Sequence, residues 1–386
     1  MRSVIESPRR PNERVKGRHL ATETPRMTGF PLRHVRTGKR RGLSFLILPL
    51  ALAAAIGGTV TGAASPAAAT GTTVYAHPGD NLGNLFRALT PGQTLRITSG
   101  TYNSGDIWVP SGHGGTSAAP IKVAAADPAN PPLIKGAIIL WDPHYWILQQ
   151  LRVQATVAEK GALTIAGGVG WRVSGSEFFG ARNTGSYGNV AISTGHSGPP
   201  RGFWFAGNCV HGAANTTRVN TDHNIYVNFG GNSSSSGQIY RNIIFDHPNG
   251  VGIKLGNGGT AGALGPWGVQ VLYNTIGKGG RQILLHGNVR NNLLQGNLLA
   301  YSTEPFRTNP KTTAIYANMV TTTTNRYGHN YVYGASMVLF DSNKVMTSLG
   351  DNSLRVNPVF NGTTCSTWRA QATPALPYGR YGTARY

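Results

Sequence analysis

A six-residue phrase (apolar, any, any, Asn, any, apolar) returns along the middle of this chain and restricts the folds open to it. It reads Phe205, Asn208, Val210, then Ile239, Asn242, Ile244, then Val271, Asn274, Ile276. It continues at Val289, Asn292, Leu294, at Ile315, Asn318, Val320 and at Phe340, Asn343, Val345. Earlier members, Leu148 to Val153 and Val173 to Phe178, keep the apolar frame but carry Leu151 and Ser176 in the Asn position. A fixed local phrase whose asparagines first lie 34, 32, 18 and 26 residues apart means units of one cross-section joined by loops of different length. An asparagine recurring at a bend is expected to hold left-handed backbone geometry there and to stack its amide on the next unit's amide.

Between these bends lie three short runs of strand length, His223 to Val227, Val251 to Leu255 and Arg281 to Leu285, each bounded by Gly and Asn. Setting Ile225 beside Ile253 and Ile283, and Val227 beside Leu255 and Leu285, makes the apolar members coincide at a period of two. The alternate positions then face outward. They form the columns Asn224, Gly252, Gln282, then Tyr226, Lys254, Leu284, then Asn228, Gly256, His286. Such a wall of glycines, amides, Tyr, Lys and His suits a carbohydrate groove.

Composition agrees with many short strands and tight turns. Charged residues are only 13% and there are 52 glycines in 386 residues. The formal charge is +21; residues 1 to 42 carry 12 Lys/Arg against Glu6, Glu13 and Glu23, which leaves +12 for the remainder. A positive field of that size fits an acidic polysaccharide or a cell-wall polyanion. No aromatic-basic motif accompanies it, so nucleic acid is not the expected partner.

Residues 1–69 read as a targeting segment. A basic region ending in Lys39-Arg40-Arg41 precedes an apolar run from Leu43 to Ile56, and small residues lead to Ala67-Ala68-Ala69. Cleavage is expected near Ala69, with secretion of residues 70–386 as a monomer not inserted in a membrane. The apolar run is short for a membrane span. Either Met1 or Met27 can be the start, and the Arg40-Arg41 pair leaves both general and twin-arginine export open. In an oxidising compartment Cys209 and Cys365 either pair or stay as two buried thiols; their separation of 156 residues does not decide between these. The chain has no Cys-x-x-Cys and no zinc-type spacing, so no metal is expected.

The mature part opens with Thr73-Val-Tyr75, a turn at Pro78-Gly79-Asp80 and a short helix that Asp80 is expected to cap, with Leu82, Leu85, Phe86 and Leu89 on its apolar face. One amphipathic helix before a long run of strands fits a lid over the open end of a strand stack. With Gly100-Thr-Tyr102, Ala119-Pro-Ile-Lys-Val123, Pro131 to Gly136, the Asn bends and the closing Asn357-Pro-Val-Phe360, the chain resembles the right-handed parallel β-helix of the pectate-lyase-like superfamily over residues 73 to 378. The resemblance implies an all-β fold of about ten coils with an N-terminal capping helix and an irregular C-terminal tail. It also makes the runs at 223, 251 and 281 the face that usually lines the substrate groove. It does not fix the activity, because lyases, hydrolases, epimerases and proteins without known catalysis share the fold.

A uronate lyase needs a base and cations that stabilise an enolate-like intermediate. Lys254 and Arg281 are the candidate bases, with Tyr226 or His286 assisting; cationic neighbours are expected to lower the Lys254 pKa. Asp222, His223, Asn224, Asp246, His247 and Gln282 are the candidate substrate-binding residues. The bland alternatives are a solvated surface Lys, turn-bonded histidines and a surface Arg. Hydrolysis needs two carboxylates across the bond. Asn220-Thr-Asp222 matches the first motif of polygalacturonase-type hydrolases, but the adjacent Asp pair and the following Gly-His-Gly are missing. Asp222 and Asp246 are too few for a tight Ca²⁺ cage, so no cofactor is expected and calcium dependence stays open with weak support. A third possibility is a non-catalytic wall-binding protein in which Trp108, Trp141, Trp204 and Trp267 stack on sugar rings.

Overall fold

The computed structural model describes residues 71–157, 159–181, 188–213, 222–256, 264–303, 305–306 and 309–383. The expected targeting segment and cleavage site lie outside the described residues, as do Asn220 and Thr221. Among the described residues no helix is long and apolar enough to cross a membrane.

Short β-rich runs recur at near-constant cross-section, so the strands of the stack find their partners in the next turn of chain; antiparallel exceptions are Pro305–Phe306 with Asn309–Asn318 and Phe360–Asn361 with Arg369–Ala370. The first face is an 11-stranded sheet running from Thr73–Ala76 to Thr347–Ser348 in sequence order. Its core column steps through Leu95, Val123, Leu148, Val173, Phe205, Ile239, Val271 and Leu294, every step a parallel pairing. All eight are buried. The second face stacks Val153, Phe178, Val210, Ile244, Ile276, Leu299 and Val332 in the same way. The third stacks Val190, Ile225, Ile253, Ile283, Ile315 and Leu339. Faces 2 and 3 belong to one larger sheet, because strands such as Ile243–Gly256 and Thr275–His286 turn the corner without a break. This is an all-β parallel β-helix, and the crossover rule for twisted parallel strands makes its sense right-handed.

The corner between faces 1 and 2 carries the repeated asparagine, though not as its backbone was expected to lie. The left-handed residue is the one before it: Arg241 has φ 53°, Tyr273 φ 54°, His329 φ 52°, and Gly207 and Gly296 have φ 66° and 67°. The asparagine that follows uses its amide instead. The backbone N–H of Asn208 donates to Asn242 Oδ1 at 2.9 Å, that of Asn242 to Asn274 at 2.9 Å, and that of Asn274 to Asn297 at 2.9 Å. The ladder continues to Asn330 and Asn352. Each amide nitrogen also donates to a strand carbonyl of the previous coil, as Asn242 Nδ2 does to Phe205 O at 3.0 Å. Ser176 takes its place in this column, donating its N–H to Asn208 Oδ1. The phrases at Asn292, Asn318 and Asn343 lie at other corners. Asn292 pairs with Asn325, Asn318 meets His286, and Asn343 donates to Val320 O. The phrase marks a tight bend, and each coil has more than one.

The one α-helix among the described residues is α1, Leu82–Ala88. Its cap is Asn81, which accepts the Asn84 N–H at 2.9 Å; Asp80 is already engaged by the His77 N–H at 2.7 Å. Leu82, Phe86 and Leu89 are buried in the main core beside Ile107 and Val109, Leu85 is partly buried against it, and Phe86 stacks near Trp146.

Cys209 and Cys365 form a disulfide, with Cα atoms 5.8 Å apart. It fastens the C-terminal segment across the outside of face 2. There Trp368 is fully buried between Phe360 and Phe245, at ring distances of 4.2 and 5.2 Å. Arg380 donates to Asn208 O and Arg241 donates to Gly382 O, holding the far end of the segment.

Candidate functional site

On face 3 the expected register holds: Ile225, Ile253 and Ile283 are partners in turn, as are Tyr226, Lys254 and Leu284. The inward members belong to the main core, whereas Val251, Leu284 and Tyr316 form a separate apolar cluster with Phe340 on the outer side. The outer column thus runs Tyr226, Lys254, Leu284, Tyr316, Phe340. Lys254 Nζ sits 4.6 Å from the centre of the Tyr226 ring, close enough for a cation–π contact. Further along, Tyr316 and Phe340 stack at 5.0 Å, and the Arg281 guanidinium carbon lies 5.2 Å from the Tyr316 ring centre. His223 meets Tyr226 edge-on at 5.4 Å. In the next outer column, between Gly256 and Asn318, is His286.

The group is strongly desolvated and carries excess positive charge. Burial pushes the Lys254 amine below its ordinary 10.5. That is the expected direction, but burial rather than cationic neighbours is the cause. Burial, then Lys254, His247 and Arg281, hold His223 well below the ordinary 6.5. Burial and Lys254 also lower His286. His223 Nδ1 has no hydrogen-bond partner.

Three of the expected wall residues face the other way. Asn224 is fully buried, donates to Phe245 O at 2.8 Å and accepts from Asn189 Nδ2 at 2.9 Å. Asn224 Nδ2 also meets His247 Nδ1 at 3.2 Å, while His247 Nε2 meets the Arg281 carbonyl at 3.0 Å. The imidazole is therefore neutral with its proton on Nε2, and burial lowers it to about 4. Gln282 donates to Ser302 Oγ at 3.1 Å. A Cβ on Gly252, the residue between Asn224 and Gln282 in this column, would strike the core side chain Ile276. Asn224, His247 and Gln282 are thus part of an internal polar ladder at the corner between faces 2 and 3. Alternation breaks here: Asn224 and Ile225, and Gln282 and Ile283, are successive residues that both turn inward, and in the neighbouring pairing the register shifts between His247 and Val251.

Asp246 sits at the bend with φ 57° and is not among the groups that act on Lys254 or His223. Asp222 pairs through its backbone with Gly250. Among the described residues the cluster with metal-ligand proximity is Cys209, His211 and Cys365, whose sulfurs are bonded to each other. The members that sequence reasoning missed are Tyr316 and Phe340. Extending the strand alignment from Ile283 to Ile315 and Leu339 would have found them.

No family model matches the chain, and no curated protein does. Solved structures similar to it include pectate lyase Pel9A, at 12% identity over 79% of this chain and 90% of that one, with a TM-score of 0.45. An alginate lyase from Paenibacillus sp. str. FPU-7 is 14% identical over 71% of this chain and 99% of that one, with a TM-score of 0.43. The periplasmic alginate epimerase AlgG is 13% identical over 70% and 72%, with a TM-score of 0.35. The strand pairings by themselves establish the parallel β-helix.

Proposed function

We propose that face 3 is the active face of a polysaccharide lyase that cleaves a uronate-containing chain by β-elimination. The carrying observation is the half-buried amine of Lys254, seated on Tyr226 and lowered in pKa, with Arg281 on the adjacent strand. In this reading Arg281, buried beside the Tyr316 ring, stabilises through its positive charge the negative charge that develops on the uronate carboxylate. Neutral Lys254 takes the proton from the carbon next to that carboxylate. The electron pair left behind forms the carbon–carbon double bond as the bond to the glycosidic oxygen breaks. That oxygen receives its proton from Tyr226 or, through the neighbouring column, from His286.

The same proposal takes the protein as exported with its first 69 residues removed, working as a monomer without a bound metal. It takes α1 as the lid on a stack of about ten coils. Incubation with sodium polygalacturonate and sodium alginate tests the chemistry. A lyase produces the near-ultraviolet absorbance of an unsaturated product, and Lys254→Ala abolishes it. New reducing ends without absorbance would assign hydrolysis instead, and binding with neither would assign a wall-binding protein.

A further inference from the structure

The outside of face 1, a different side of the coil from Lys254, carries a second feature. Its outward column runs Ile147, Arg172, Trp204, Gln238, Gln270 in direct register. The neighbouring outward column runs Gln149, Ser174, Ala206, Tyr240. Trp204 borders two hollows at once. One, about 400 Å³, is lined by Arg172, Trp204, Ser236, Gln238 and Gln270. The other, about 410 Å³, is lined by Gln149, Ser174, Trp204, Tyr240 and Arg241 among others. Each hollow extends along the stack over four adjacent strands, and small residues such as Gly175, Gly202 and Ala206 keep the floor low beside the indole.

We infer that this surface is a second, non-catalytic binding site for an acidic polysaccharide strand lying along the stack across Trp204. The chemistry of the lining selects that occupant. A half-buried indole offers a face to the C–H side of a pyranose ring. Amides flank it on both sides, and the Gln238 amide already donates to Gln270 at 3.0 Å, which fixes the pair to meet hydroxyl groups rather than swing in solvent. The charges among the lining residues of both hollows are Arg172 and Arg241, with no carboxylate. Arg172 is exposed, and no ion pair among the described residues involves it. A guanidinium held this way matches a sugar carboxylate. The spacing also fits: coils repeat at about 4.8 Å, close to the advance of one sugar unit along an extended chain, so successive units meet successive strands. The inference goes beyond the lyase proposal and does not need it, because face 1 is assigned binding alone.

The test is affinity electrophoresis in native gels containing sodium polygalacturonate or sodium alginate, carried out on Lys254→Ala so that the polymer is not consumed. Adding Trp204→Ala is expected to weaken binding at least about tenfold, the scale of one stacked aromatic. Arg172→Ala and Gln238→Ala should weaken it less, with the Arg172 effect fading in high salt. Thermal midpoints within a degree or two of the parent show that each variant is folded. Equal mobility of Lys254→Ala with and without Trp204→Ala, or equal retardation by a neutral xylan, overturns the inference. Absence of unsaturated product from the wild-type protein removes the lyase proposal and leaves the gel result standing. Product formation with unchanged mobility of the folded Trp204→Ala variant removes the face 1 site alone.

Discussion

An amine half-buried on an aromatic ring is less well solvated when charged, and Lys254 gives up its proton more readily for that reason. If the neutral amine is the base, kcat/KM rises with pH through the lowered pKa and levels off below the ordinary 10.5. Lys254→Arg, which stays charged, should lose activity across the whole range. Because burial disfavours the charged amine, Lys254→Met should leave the thermal midpoint equal or higher; a large fall would mean that Lys254 serves the fold instead. His247 makes a different demand. It is neutral in the fold with a pKa of about 4 and titrates near 6.5 once unfolded. The unfolded chain therefore binds the extra proton between those values, and stability falls as pH drops from about 6.5 to 4. His247 alone contributes about 2 kcal/mol of that loss between pH 7 and pH 4.5, and urea unfolding at those two pH values, compared with the same pair of measurements on His247→Gln, measures it. The column of Tyr226, Lys254 and Leu284 was legible in the sequence because apolar residues at a period of two fix register. The inward turn of Asn224 and Gln282 was not, because a break in alternation leaves residue types unchanged.

Among the elements, the asparagine corner carries the clearest energetic prediction. Asn242 accepts the buried N–H of Asn208 and donates to Phe205 O and to Asn274 Oδ1. Asn242→Ala strands two buried backbone groups and should cost about 2–4 kcal/mol, readable as a shift in the denaturant midpoint without a change in slope. Asn343, which is exposed and donates to Val320 O, should cost less when replaced by Ala. The repeat revealed that coils exist and where they bend. It did not reveal which corner each bend occupies, since a side-chain amide closes any tight turn whose neighbour is one coil away. The helix cap shows the same ambiguity at smaller size. Asp80 and Asn81 are adjacent and both fit the role, and only the turn at His77 removes Asp80 from contention.

For the whole molecule, the C-terminal segment closes what the coils leave open. Face 2 presents Ile243 and Phe245 outward, and Trp368 covers them. The disulfide holds that cover in place across 156 residues of sequence. Removing it by Cys209→Ser with Cys365→Ser should cost about 2–4 kcal/mol. It should also open the segment around Trp368 to proteolysis while the coils remain protected, as limited digestion followed by mass measurement would show. The sequence contained both cysteines but not their proximity, because only the winding of the coils brings their Cα atoms to 5.8 Å. This arrangement has a consequence in time. The coils can wind one upon another as the chain emerges from the ribosome, each resting on the one before. The thiol of Cys209 and the bare rings beside it must wait until the stretch around Cys365 has been made. A chain interrupted before that point is mostly wound yet apolar on one side, with the sulfur of Cys209 unpaired beside Ile243 and Phe245.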